Sequence, residues 1–350
     1  MYGTIVEIDG TTMTATTTQL NSTNNSCYYG TSCVLLESNK IFIAHAYSSS
    51  YYLYGTIVEI NGTTMTATTT ELNSTSKSCY ESPSCVLLEN NKVFITHCVG
   101  MAGYLYGTIV EIDETSMTAT SNQLDNKDVH YSSSCLLLEQ NKVFVAYAGS
   151  SYDYLYGIVV EINETTMTAT SKALVGISQS CKYSPSCVLL ENNKVFIAHS
   201  YGNSYYLYGT VVQINGTEMT PTTTELNSSL QSCYIAPSCV LLESNKVFIA
   251  HAYSNSYYLY GTIVDVNGTS MTATIKFTTT NSYSNNKYSP SCVLLENNKV
   301  FIAHSYGNSY YLYATLYFGN EAVSTTDTIK GVAKTSGTEG QTIQVYVPNK

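Results

Sequence analysis

The stretch SCVLLENNKVFIAHSYGNSYYLYGTVVQINGTEMTPTTTEL, Ser186–Leu226, decides the fold. It falls into four runs rich in β-branched and aromatic residues, SCVLLE, KVFIAHS, YYLYGTVVQI and MTPTTTEL, separated by Asn, Gly and Ser, the pattern of strands and turns. Helical periodicity is missing. The third run closes on Asn215-Gly216, and equivalent places hold Asp9-Gly10, Asn61-Gly62 and Asn267-Gly268. Such dipeptides suit a two-residue type I′ hairpin, whose central residues both need positive φ. Asp113-Glu114 and Asn163-Glu164 stand there in two other copies, which predicts a looser turn.

Working outward, Tyr-Gly recurs at Tyr2, Tyr54, Tyr106, Tyr156, Tyr208 and Tyr260, with Tyr313-Ala314 as an altered seventh copy, so a unit of about 52 residues repeats along the chain. Four antiparallel strands per unit of this length is the arithmetic of a β-propeller blade. A β-solenoid is the rival reading, but its strands run parallel, whereas tight turns require hairpins. The long connection precedes SCVLLE, which makes SCVLLE the innermost strand and MTATTTEL the outermost.

The chain then begins in mid-blade, with strands at about 2–9 and 12–20. Five complete blades follow at about 32–72, 84–124, 134–174, 186–226 and 238–278, and three strands of another at about 291–318. The expectation is an all-β, six-bladed propeller over residues 1–318. Because Tyr310–Phe318 duplicates the strand that Tyr2–Ile8 already provides, a longer parent with seven blades, cut at an internal Met, fits equally well. Residues 319–350 leave the repeat and read as a C-terminal attachment or assembly segment, a hairpin with strands near 328–334 and 341–347.

Composition removes several functions. The 350 residues include 33 Tyr, no Trp, and 15 basic residues that are all Lys, for a net charge of −10. Without guanidinium groups and with a negative balance, a nucleic-acid partner is not expected, nor is an arginine-clamped phosphoryl-transfer site. No run approaches the roughly 20 apolar residues of a membrane span, so no membrane insertion is expected. The N-terminus lacks the basic and apolar regions of a signal peptide.

Comparing the internal copies separates fixed from variable positions. Glu-x-Asn-Lys after the first strand and the turn after the third are nearly constant, and read as scaffold. The other two connections vary and are rich in Tyr, Ser, Gly and Asn, a composition resembling antibody contact loops. The candidate binding face comprises Tyr47 and Tyr51; Tyr152 and Asp153; Tyr201, Asn203 and Tyr205; Tyr253, Asn255 and Tyr257; and Tyr306, Asn308 and Tyr310. Coding bias is the plainer explanation of the same loops.

Histidine recurs in the second strand at His45, His97, His199, His251 and His304, with Tyr147 in the third copy. Metal ligands must converge within about 2 Å of one ion, whereas stacked sheets lie about 10 Å apart. The row therefore reads as a planar, hydrogen-bonding core group; no metal and no cofactor are expected. Cys33, Cys85, Cys135, Cys187, Cys239 and Cys292 open every first strand, while Cys27, Cys79, Cys181 and Cys233 lie six residues earlier in only four copies. Two copies keep the later Cys without its partner, which favours buried thiols over C-x5-C disulfides. The most irregular charged cluster is Asp125, Lys127, Asp128 and His130, with Cys98 and Asp153 on neighbouring loops. Carboxylates beside a His suit acid–base work, but this cluster reads as solvated loop charge. No G-x-S-x-G element or Asp-box is present.

The unit NNKVFIAHSYGNSYYLYGTVVQINGTEMT and the ending IKGVAKTSGTEGQTIQVYVP resemble repeats and terminal segments of virion and tail-associated propeller proteins of bacteriophages and prophages. The chain departs from that pattern by carrying His where Tyr-Arg-Asp is common. The resemblance implies a non-enzymatic propeller in the virion, extracellular after assembly in the bacterial cytoplasm. Its implied partners are a host-surface glycan or protein at the Tyr-rich face and other virion proteins at the C-terminal segment. The alternatives are a purely structural tail spacer or assembly protein and, second, a glycan-active propeller hydrolase.

Overall fold

The computed structural model describes residues 1–9, 12–20, 27, 30–47, 51–73, 79, 81–89, 91–99, 103–129, 131–149, 154–176, 181, 183–201, 205–227, 233, 236–252, 258–278, 289–295, 299–306, 311–318, 321–324 and 343–347. The fold is all-β, with six four-stranded blades of a β-propeller. In chain order, blade one is Ser32–Glu37, Lys40–Ala46, Leu53–Asn61 and Thr64–Glu71, and blade two is Ser84–Leu87, Lys92–Val99, Tyr104–Asp113 and Ser116–Asp128. Blade three is Ser134–Glu139, Lys142–Ala148, Leu155–Asn163 and Thr166–Ala173, and blade four Ser186–Leu190, Lys194–Ser200, Leu207–Asn215 and Glu218–Glu225. Blade five is Ser238–Glu243, Lys246–Ala252, Leu259–Asn267 and Ser270–Thr278, and blade six Ser291–Leu294, Lys299–Tyr306, Tyr311–Phe318 and Glu321–Ser324.

Blade six thus has a fourth strand, Glu321–Ser324, beyond the three read from the repeat. Since its third place is filled by Tyr311–Phe318, the N-terminal hairpin, Tyr2–Asp9 and Thr12–Gln19, does not complete it. Instead Tyr2–Asp9 lies between Thr12–Gln19 and the C-terminal strand Ile343–Val347 in a separate three-stranded sheet. Ile343–Val347 coincides with the second strand of the expected C-terminal hairpin; the first, near 328–334, lies outside the described residues.

The chain divides into two compact units, Met1–Gly3 with Thr18–Ala173 and Val347–Lys350, and Thr4–Thr17 with Leu174–Tyr346. In each the first strands of successive blades are neighbours, blade one to two to three in the first unit and four to five to six in the second. Two contacts explain the most constant sequence features. A first-strand Ser hydroxyl accepts from the backbone N–H of the next blade's Cys: Cys85 to Ser32 at 3.0 Å, Cys135 to Ser84 at 3.1 Å, Cys239 to Ser186 at 3.1 Å and Cys292 to Ser238 at 3.1 Å. All eleven cysteines are free thiols. The Gly of Tyr-Gly seats the next blade's Met: a Cβ on Gly55 would come within 2.9 Å of Met117 Sδ, on Gly107 within 2.9 Å of Met167 Sδ, and on Gly209 within 2.8 Å of Met271 Sδ.

Second strands are buried on both faces, as in Val143–Ala148, whereas fourth strands alternate toward solvent. The turn after the third strand differs from the expectation. Asn61 pairs with Thr64, so Gly62 and Thr63 are the loop residues, and positive φ falls only at the first of them (Gly62, 59°), the type II′ pattern. Glu114 (53°) and Glu164 (56°) adopt the same backbone, so their turns are equally tight and carry a side chain where Gly is at ease.

Candidate functional site

Five blades share one buried hydrogen-bond row. His45, His97, His199, His251 and His304 place Nε2 2.9–3.0 Å from the third-strand hydroxyls of Thr56, Thr108, Thr210, Thr262 and Thr315. In three of these blades the row continues to a fourth-strand hydroxyl, Thr69, Ser121 or Thr223. Burial pushes His45, His199 and His251 down to about 3, so these rings are neutral at ordinary pH. Each also stacks on the third-strand Tyr beside it. Among the described residues no group of three His, Cys, Asp or Glu side chains could hold a metal.

Blade three breaks this row at two paired positions. Tyr147 replaces His and, on the facing strand, Ile158 replaces Thr. The fully buried Tyr147 sends its hydroxyl to Asp125 Oδ2 at 2.9 Å. Lys127 Nζ donates to both Asp125 oxygens, at 3.0 and 2.9 Å, and to Ser171 Oγ at 3.0 Å, and it sits 5.1 Å above the Tyr156 ring. Burial alone would raise the Asp125 carboxyl, but hydrogen bonds from Lys127, Ser171 and Tyr147 prevail and hold it below its ordinary value. Burial and the neighbouring Asp125 charge raise the Tyr147 phenol far above the usual tyrosine range.

The element carrying Asp125 and Lys127 is the fourth strand of blade two, which runs on to Asp128 through register shifts at Gln123/Asp125 and Asp125/Asp128. Bulges re-aim side chains at the ends of strands. This corrects the reading of solvated loop charge at Asp125, which is 7% exposed and paired, whereas Asp128 is open to solvent. Cys98 is likewise buried within a strand, its thiol 3.7 Å from the Tyr131 carbonyl oxygen. His130 and Asp153 lie outside the described residues.

One group escaped the sequence reading. In the connection leading to blade two, Cys79 pairs with Val99, and its thiol donates to the Glu81 carbonyl at 3.0 Å. The position of Glu81 is Tyr131 before blade three, Tyr183 before blade four and Ile235 before blade five. A carboxyl therefore stands where the repeat puts a ring or an aliphatic chain, and burial pushes it up to about 7. Burial, and secondarily the Glu81 charge, raise the Cys98 thiol. The signal in the sequence was a lone Glu at a ring position.

The candidate binding face is described only in part. Tyr47, Tyr51, Tyr201 and Tyr205 are half-buried at the ends of blades one and four. Tyr47 meets Tyr54 edge-on, Tyr201 tilts toward Tyr208 and Tyr205 stacks on Tyr183. The backbone of Tyr306 pairs with Tyr311. Tyr152, Asn203, Tyr253, Asn255, Tyr257, Asn308 and Tyr310 lie outside the described residues.

No family model matches the chain, and no curated protein matches it. Solved structures do. A protein from Lactobacillus plantarum aligns at TM-score 0.60 and 12% identity, over 94% of this chain and 96% of its own. The NanB sialidase of Streptococcus pneumoniae aligns at TM-score 0.54 and 8% identity, over 94% of this chain and 70% of its own. At such identities the likeness is one of fold. It nevertheless corrects the expectation of a non-enzymatic virion or tail propeller that only binds or spaces, since the same fold over most of this chain occurs in an enzyme. Loop composition could not separate the readings, because a Tyr-rich face serves a bound ligand and a substrate equally well.

Proposed function

We propose that the protein is a glycan-active propeller hydrolase that cleaves a glycosidic bond in a neutral saccharide, with its chemistry at the ends of blades two and three. The observation that carries this is Glu81, a carboxyl raised to about 7 at a position where other blades hold Tyr or Ile. Asp125, in the fourth strand of blade two, is held ionised by its three donors. A carboxyl raised by burial is the general-acid half of a glycosidase pair, whose other half is a second, ionised carboxylate.

The roles follow from exposure. Glu81, partly open and half-protonated near neutrality, donates its proton to the leaving glycosidic oxygen. Water attacks the anomeric carbon as that bond breaks, and its proton passes to the exposed Asp128 carboxylate. Asp125 is too enclosed to touch substrate; it fixes Lys127 and Tyr147, and through them the bulged strand end. Tyr147 is fully buried and takes no part as a nucleophile. The fold of the NanB sialidase supports the hydrolase class. The sugar is a different matter: with no arginine for a bidentate carboxylate contact and a net charge of −10, a neutral glycan suits this chain better than an acidic one.

Reducing-end release from xylan, galactan and β-glucan tests this directly. Wild type is expected to cleave at least one, and Glu81→Gln to lose 100-fold or more in kcat at unchanged melting temperature. Cleavage of none of the three by wild type, or full activity in Glu81→Gln, overturns the proposal.

A further inference from the structure

Tyr51 and Tyr205 have φ of 57°, the left-handed region, where a bulky side chain is an outlier held at a cost in free energy. The equivalent residue of blade two is Gly103, with φ of 69°. The backbone reason is common to all three: in this conformation the carbonyl faces the connection to the next blade. It accepts the N–H of Val129 at 2.8 Å from Gly103, of Cys79 from Tyr51, and of Cys233 from Tyr205. Glycine would meet that demand without strain. A ring is nevertheless kept there in blades one and four, half-buried at the strand ends.

The rings are also arranged. Tyr205 lies nearly parallel to Tyr183, with centroids 6.3 Å apart and 22° between planes. Beside them Tyr201 leans on Tyr208, whose hydroxyl donates to Glu225 Oε2 at 3.1 Å. In blade one Tyr47 leans on Tyr54, which donates to Glu71 Oε2 at 3.0 Å. In both blades half-buried tyrosines stand at the strand ends, and a neighbouring tyrosine hydroxyl is bonded to an exposed carboxylate; rings with a carboxylate close by are the combination that packs the apolar face of a pyranose and accepts from its hydroxyls. Blade two has lost both rings of the Tyr183–Tyr205 stack, to Glu81 and Gly103.

We infer that Tyr51 and Tyr205 are aromatic platforms for neutral pyranose rings, two binding subsites on blades that lack the Glu81 carboxyl. This rests on the neutral-glycan reading above, but not on turnover. The strained tyrosine is retained for its ring, and glycine at the same place in blade two marks where binding has given way to chemistry.

The test is binding of cellohexaose, xylohexaose and galactohexaose to the Glu81→Gln chain, followed by calorimetry and by tyrosine fluorescence, which is unobscured because the protein has no Trp. Polysialic acid is the anionic control. At least one neutral hexasaccharide is expected to bind, polysialic acid is not, and Tyr51→Gly with Tyr205→Gly weakens binding about tenfold or more while the melting temperature holds or rises. Tyr51→Phe with Tyr205→Phe retains the affinity. Binding of none of the three hexasaccharides, preference for polysialic acid, or unchanged affinity in the glycine variant overturns the inference. Because catalysis is already disabled, a failure here is distinct from a failure of the hydrolase reading.

Discussion

Blade three and its neighbours solve one packing problem in two ways. Five blades bury a His against a Thr hydroxyl, as in His199 and Thr210. Blade three buries Tyr147 against Asp125, with Lys127 and Ser171 completing the shell. The exchange is paired, Tyr for His and Ile for Thr, because a phenol that reaches outward to Asp125 leaves nothing polar for the third-strand position to satisfy. A repeat can thus carry a charge in one blade only if the facing strand changes with it. The departure is local to blade three and the strand that leads into it.

The largest effect that follows from this contrast is acid lability. For His45, His199 and His251 the folded pKa, about 3, lies below the unfolded 6.5, so their contribution is complete above pH 6.5 and is lost as pH falls toward 3. Between pH 7 and 5 each costs about 2 kcal/mol, so the three together cost about 6 kcal/mol. Urea midpoints at pH 7 and pH 5 should differ accordingly; midpoints independent of pH would mean that the rings are not enclosed as described. Changing His199 to Tyr together with Thr210 to Ile does not reproduce blade three, since the connection into blade four offers Val175 where Asp125 stands.

The reverse exchange is the next largest. Tyr147→His should cost about 2–4 kcal/mol, because it leaves a smaller ring facing Ile158 and removes a donor from the buried Asp125. Adding Ile158→Thr should recover part of that loss, as chemical denaturation would show; strict additivity would break the link between the two positions. A smaller change is expected at the tight turns. Replacing Glu114 or Glu164 by Gly relieves positive φ and should stabilise by about 1 kcal/mol, an effect read as a shift in melting temperature of a few degrees.

Much of the fold could be read without coordinates. The Tyr-Gly spacing marked the units, and the alternation of short apolar runs with Asn, Gly and Ser placed the strands of the first five blades. The fourth strand of blade six was missed because EAVS, Glu321–Ser324, has none of the Thr ladder seen in MTATTTEL. The type I′ turn was a misreading of register: Asn-Gly invites it, but pairing of Asn61 with Thr64 moves the loop one residue on. At the candidate site Asp125, Lys127 and Asp128 were legible as breaks in the repeat. The burial of Asp125 was not, since a bulged strand extension has no sequence signature distinct from a polar loop. Glu81 was visible as a Glu at a ring position, but only burial gives it meaning, and burial is set by the fold rather than by the residue itself.

The most direct measurement is the pH dependence of kcat/KM on whichever neutral polysaccharide wild type cleaves, compared with Glu81→Gln. The rate is expected to fall as pH rises through about 7, where Glu81 loses its proton, and the variant to keep residual activity without that limb. The same falling limb in Glu81→Gln at undiminished rate would place the acid elsewhere and contradict the site described here.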